Sequence, residues 1–245
     1  MSNGEIAIQV SHLKKKLGVN QALNGVSLNF EAGKMHGIIG PEAAGKTTLM
    51  RTLLGLLKPD SGTIEYRQNK HIIPFETIRP KVSYMPQQQS LYPDLSIEEH
   101  LEFFKELYSL EGKAYEKRKN ELLEITRLAP FINREAGQLS GGMYKKLGLM
   151  CALLRAPEVL LLDEPTNGVD PISRREFWDL LYRLLDDKIL ILVSTAYMDE
   201  AERCSIVHLL EAGNLIDAGE PRALLTKANL QSFDALFLKR GARSP

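Results

Sequence analysis

Cysteine is scarce: the 245 residues contain two, Cys151 and Cys204, far apart and without a CxxC pair. That excludes a disulfide framework or a metal knuckle as the organising device, and reduced thiols of a cytosolic protein are expected. Net charge is missing as well. Lys and Arg number 31 and Asp and Glu number 31, so nothing in the charge balance calls for nucleic acid as a partner. The basic runs at 14–16 and 117–119 are expected to be solvated faces. His12, His36, His71, His100 and His208 are scattered, with no metal-ligand spacing. No apolar run approaches the ~20 residues a membrane-spanning helix needs. The start, MSNGEIAIQV, has no basic region ahead of an apolar stretch, so no signal peptide is expected. There is no internal repeat and no low-complexity segment.

What is present is ordinary globular material, 44% hydrophobic and 25% charged, enough for one large domain or two small ones. β-rich runs come first (EIAIQV, GVSLNF, MHGIIG), separated by turn residues such as Glu31-Ala32-Gly33. After Gly45, Leu49, Met50, Leu53, Leu54 and Leu57 recur at helical spacing, and Pro59 to Gly62 ends that helix. GTIEYR and VSYM read as strands. Residues 95–155 read as mostly helical. Ser96 is a candidate N-cap, and Leu101, Phe104, Leu107 and Tyr108 are expected on one face. A charged helix is expected over roughly 113–128. VLLLDEP and ILILVST are short apolar runs ending in polar residues, the pattern of parallel strands buried on both faces. A crossover helix over roughly 171–187 joins them, with Phe177 and Trp178 as packing residues. The tail LKRGARSP is expected to fray.

Three stretches carry chemistry. Strand-like GIIG runs into Gly40-Pro41-Glu42-Ala43-Ala44-Gly45-Lys46-Thr47-Thr48 and then a helix. This is the spacing of a phosphate-binding loop: backbone amides and a helix N-terminus attract anions, a lysine reaches the terminal phosphates, and a hydroxyl takes Mg²⁺. VLLLDE places Asp163 and Glu164 at the carboxyl end of a buried strand, where open α/β sheets bind ligands. Asp163 is then the anchor of a Mg²⁺ shell, and Glu164 the acceptor of a proton from attacking water. LSGG at 139–142 opens an apolar helix just before that strand.

Taken in order along nearly the whole chain, these stretches resemble the motifs of ABC-type ATPases. Gly40–Thr47 resembles Walker A, Gln87 after SYMP the Q-loop glutamine, and Leu139-Ser140-Gly141-Gly142-Met143 the signature. Val159–Glu164 resembles Walker B with its catalytic glutamate, Gly168–Asp170 the D-loop, and VSTAYMDEAE the switch-histidine segment. LSGGMYKKLGL, LYPDLSIEEHL and MDEAERC resemble the exporting branch of the family. GLLKPDSG and GVDPISRREFW resemble the first half of bacterial tandem ATPases. The resemblance implies a single ABC-type domain over 1–245. Its α/β, RecA-like P-loop core would carry an N-terminal antiparallel β-subdomain and a helical subdomain inserted over about 88–155. It also implies ATP and Mg²⁺ as ligands, Thr47, Gln87 and Asp163 at the metal, and ATP sandwiched between this Walker A and the signature of a second ATPase subunit. The remaining implied partner is a membrane-spanning permease, docking near Gln87, Leu91 and Tyr92 against the inner face of the membrane.

Four positions depart from the family pattern. Leu17 stands where an aromatic residue usually stacks on adenine. Glu42 brings a carboxylate to the phosphate loop, and Ala43 replaces a glycine, which restrains the backbone if φ is positive there. Ala196 replaces the switch histidine and cannot hydrogen-bond a γ-phosphate. All four belong to the chain's own ATP site, whereas the signature it would lend to a partner is intact. The expectation is one half of a heterodimer whose own site is slow. Two alternatives stay open from sequence alone: a non-hydrolysing scaffold subunit, and a ribosome-associated ATPase.

Overall fold

The computed structural model describes residues 5–88, 91–186 and 188–241. Its main sheet has the order β10-β9-β3-β8-β7-β6. The strands are β3 (Met35–Ile39), β6 (Val82–Met85), β7 (Val159–Asp163), β8 (Leu190–Thr195), β9 (Ile206–Glu211) and β10 (Asn214–Gly219). Every pairing from β9 to β6 is parallel, and β10 returns antiparallel at the edge. The central strands are buried throughout, which is why they read as continuous apolar runs and not as alternating ones. Period two sorts their side chains between two cores. Leu160, Leu162, Ile191 and Val193 face a core shared with the helices, while Val159, Leu161, Leu190 and Leu192 face the core against the second sheet.

That second sheet is antiparallel, order β2-β1-β4-β5, from β1 (Ile6–Leu17), β2 (Asn20–Phe30), β4 (Ser61–Gln68) and β5 (His71–Ile73). Helices are α1 (Lys46–Leu53), α2 (Phe75–Ile78), α3 (Ile97–Leu107), α4 (Gly112–Thr126), α5 (Gly141–Leu153), α6 (Pro171–Leu185), α7 (Pro221–Ala228) and α8 (Phe233–Gly241). The expected helical insertion corresponds to α3, α4 and α5, which lie between β6 and β7. Ser96 starts α3 with a full capping box: its hydroxyl accepts from the Glu99 amide, and the Glu99 carboxylate accepts from the Ser96 amide.

Several expectations need correction. Helix α1 stops at Leu53, well before Pro59. Gly55 adopts φ +66°, and the Leu56 amide reaches back to the Arg51 carbonyl. This left-handed C-cap leaves Leu57 outside the helix. Leu107 is 60% exposed and not on the buried face with Leu101. The basic runs are not uniformly solvated: Lys15 pairs with Asp60 and is mostly buried, and Lys119 is buried against Glu98. Helix continues through Leu238–Gly241, so that part of the tail is not frayed, and 242–245 lie outside the described residues. His36 and His208 are both buried and stack on each other. Phe177 and Trp178 are core residues, as expected.

Candidate functional site

The loop after β3 is built by close backbone approach. The Gly40 amide donates to the Thr195 carbonyl, and a Cβ at Gly40 would sit 2.1 Å from the Leu210 carbonyl oxygen. Gly45 has φ +103°, and a Cβ there would meet the Ala22 carbonyl at 2.4 Å. Only glycine fits either position. Gly45 is the N-cap of α1 and offers no side-chain cap, and the first turn holds no acidic residue. The amides of that turn are therefore left for an external anion.

Lys46 Nζ donates to the carbonyls of Gly40 and Pro41 at 2.9 Å each and lies 3.1 Å from Glu164 Oε1. Thr47 Oγ1 donates to Asp163 Oδ1 at 3.1 Å. Asp163 is fully buried, and its donors are hydroxyls: Thr47, Ser194 at 2.5 Å and Tyr84 at 3.1 Å. Burial, with the Asp163 charge second, pushes the Tyr84 phenol up to about 12, so it stays a donor at neutral pH. A buried carboxylate held by neutral hydroxyls suits a divalent cation with oxygen ligands such as Mg²⁺.

Glu164 has φ +46°, a region that costs a non-glycine residue ~1–3 kcal/mol and recurs at functional sites. Its amide donates to Ser194 Oγ at 3.0 Å, and its Oε2 accepts from Gln87 Nε2 at 2.9 Å and Asn167 Nδ2 at 3.4 Å. Lys145 Nζ donates to the Gln87 carbonyl at 3.3 Å, and burial lowers its pKa.

Glu42 to Thr48, Gln87 and Glu164 line a cavity of about 610 Å³ together with Leu17 and Asn20 to Ala22. Of the four departures, Leu17 is 45% exposed on the wall of this cavity. Glu42 is exposed and, among the described residues, makes no ion pair, so water screens it. Ala43 does adopt the left-handed region, φ +58°, a strain of ~1–2 kcal/mol for a residue with a Cβ. Ala196, after β8, is half-buried.

The signature lies apart from this cavity. Ser140 caps α5 by accepting from the Met143 amide, Ser140 and Gly141 are exposed, and Leu139 and Met143 pack against the core. Gly142 is buried, with space for a Cβ blocked by Ser173 at 2.5 Å. Asp170 caps α6, accepting from the amides of Ile172 and Ser173. The Ser173 hydroxyl, then its amide, hold that carboxyl below its ordinary value.

Sequence reading missed Ser194, Tyr84, Asn167, Tyr197 and Glu200. Ser194 falls opposite Asp163 only through the parallel register of β7 and β8, which the sequence does not record. Nothing local marks the other four either.

Comparison with known proteins supplies the family. The family model described as "ABC transporter" matches residues 23–167. The chain is 45% identical over 237 residues to the probable multidrug ABC transporter ATP-binding protein YbhF of Escherichia coli. That match covers 94% of this chain and 40% of that protein, so the chain spans less than half of this relative's length. It is 37% identical over 219 residues to the Nod factor export ATP-binding protein I of Burkholderia lata, covering 89% of this chain and 72% of that one. A solved structure of an ATP-binding subunit of an ABC transporter superposes with a TM-score of 0.81 at 29% identity, covering 95% of this chain and 98% of the other. Sheet order, phosphate loop and relatives agree, and the chain belongs to the ABC transporter ATP-binding family.

Proposed function

We propose that this chain is the ATP-binding subunit of a membrane exporter, working as one half of an unequal pair. The multidrug and Nod factor names of its relatives support export. The observation that carries the unequal pair is a contrast inside one molecule. Lys46, Thr47 and Glu164 line one cavity, with Asp163 hydrogen-bonded to Thr47, yet Ala196, at the position where the family pattern has a histidine, supplies no hydrogen-bonding side chain.

In this reading the α1 amides and Lys46 bind the phosphates of ATP, and Leu17 gives the base an apolar contact without a flat face. Thr47 and Asp163, with Gln87, would hold Mg²⁺. The ion supplies charge neutralisation on the phosphate oxygens. Glu164 orients water and takes its proton. The exposed Ser140 and Gly141, at the N-terminus of α5, offer amides and a hydroxyl to the γ-phosphate in a partner's site. A second, more apolar hollow of about 210 Å³ lies between β6 and the inserted helices, with Met85, Leu91, Phe104 and Tyr108 on its wall. Of the three residues expected at a permease contact, Leu91 lines this hollow and Gln87 and Tyr92 do not; the hollow is the surface proposed for a permease helix.

The test is ATP turnover of the purified chain against Ala196→His. The reading expects a wild-type rate well under an ordinary ~10 s⁻¹ and a rise of tenfold or more in the variant. Fast wild-type turnover overturns the slow site. Co-purification with ribosomes in place of a membrane subunit overturns the exporter.

A further inference from the structure

We infer that Tyr197 is a positioning residue for Glu164, acting through Asn167. The inference rests on the reading above that Glu164 orients the attacking water.

The geometry is a two-step chain. The Tyr197 hydroxyl donates to Asn167 Oδ1 at 3.3 Å, and Asn167 Nδ2 donates to Glu164 Oε2 at 3.4 Å. An ionised carboxylate only accepts, so Asn167 must turn its NH₂ toward Glu164. That turns Oδ1 outward, where it needs a donor, and the Tyr197 hydroxyl is that donor. The phenol thereby fixes which end of the amide faces the carboxylate. Without it, the amide is free to rotate and Glu164 loses one of the three groups that hold its two oxygens.

Tyr197 is held where it can do this. The Arg174 guanidinium lies 5.0 Å from the centre of its ring, and Arg174 also pairs with Asp199 and approaches Glu200 at 3.6 Å. Glu200 is fully buried. Its Oε1 accepts from Thr166 Oγ1 at 2.8 Å and from Trp178 Nε1 at 3.0 Å. Thr166 follows the β7 end that carries Asp163 and Glu164, and Glu200 follows Ala196 and Tyr197 on the neighbouring segment. The buried carboxylate therefore joins the two segments from beneath, and the Tyr197–Asn167 contact joins them at the surface. Ala196 has no side chain with which to reach Glu164. Tyr197, the next residue, does so by way of an amide.

The experiment compares wild type, Tyr197→Phe, Asn167→Ala and the double variant in the purified full chain, using γ-labelled ATP so that slow rates are read. The expected result for Tyr197→Phe is a five- to tenfold lower kcat, a KM for ATP within twofold, and a Tm within about 2 °C. The double variant should be no slower than Asn167→Ala alone. In ¹⁵N spectra, the side-chain amide pair that vanishes in Asn167→Ala should shift in Tyr197→Phe and in Glu164→Gln. Unchanged kcat in Tyr197→Phe, multiplying effects in the double variant, or an amide pair that Tyr197→Phe leaves in place overturns the inference. Undetectable turnover in the wild type defeats the hydrolysis reading by itself, and the amide resonances then decide the contact alone.

Discussion

Lys46 and Glu164, 118 positions apart, form a nearly buried ion pair of 3.1 Å. Each is half of the proposed chemistry, and each restrains the other: the amine that should meet phosphates is drawn to the carboxylate that should meet water. In the proposed function a ligand with phosphate oxygens would compete for Lys46 and leave Glu164 held by Gln87 and Asn167.

Glu164→Gln keeps the shape of the side chain and removes the proton acceptor. Turnover should fall by ~10²–10⁴-fold, the range for losing a general base. ATP affinity should hold or tighten slightly, because Lys46 is released. Stopped turnover with equilibrium ATP binding measured beside it checks this. An unchanged rate removes Glu164 from the mechanism.

Gly141 and Gly142 should separate by cause. A Cβ at Gly141 meets nothing nearer than 3.7 Å, whereas at Gly142 it would sit 2.5 Å from Ser173. Gly142→Ala should therefore cost ~1–3 kcal/mol of stability through overpacking of α5 on α6. Gly141→Ala should leave Tm within about 2 °C. It should also slow ATP turnover in the partner's site, since the added methyl stands on the surface proposed to cover that nucleotide. Thermal melts and the activity of the mixed assembly read the two effects.

Stability should fall as pH drops below about 6.5. His36 Nδ1 lies 3.1 Å from His208 Nε2, the rings are stacked, and Phe30 stands edge-on to both. Burial pulls the pKa of His36 down to about 4, with the Glu31 carbonyl and carboxylate acting weakly against it and Lys34 with it. Burial, then the charge of His36, pulls His208 to about 3. Both native values lie below the unfolded value of ~6.5. The unfolded chain therefore binds more protons from pH 6.5 downward, and this contribution is complete above 6.5 and lost as pH falls. With two protons the slope approaches ~2.7 kcal/mol per pH unit. Urea unfolding at pH 7.0, 6.0 and 5.0 measures it, and His208→Gln should remove about one proton from the slope.

Much of the site was legible because the chemistry is local in sequence. A phosphate loop is one strand, one turn and one helix, so Gly40 to Thr48 announce themselves through spacing. Asp163 and Glu164 are the polar end of an apolar run. Positive φ at Ala43 was foreseeable only as a condition, and Ala43 meets it. Helix ends were less legible. The cap at Gly55 depends on a left-handed residue whose partner carbonyl lies at Arg51, and the more obvious Pro59 masked it.

The sequence by itself determined most of the element order as far as β8, though not β5, α2 or anything from β9 onward, together with the central buried strands and the groups a nucleotide would meet, because periodicity, glycine placement and polar strand ends are properties of short segments. Only the tertiary structure decided which distant side chains share a proton or a charge. Ser194 faces Asp163 because β7 and β8 pair in that register. Glu200 reaches Thr166 and Trp178 because a six-residue 3₁₀ turn folds beneath the strand ends. Tyr197 meets Asn167 because both segments leave the carboxyl ends of the neighbouring parallel strands β7 and β8. Such contacts are fixed by packing across a sheet, which no spacing along the chain records.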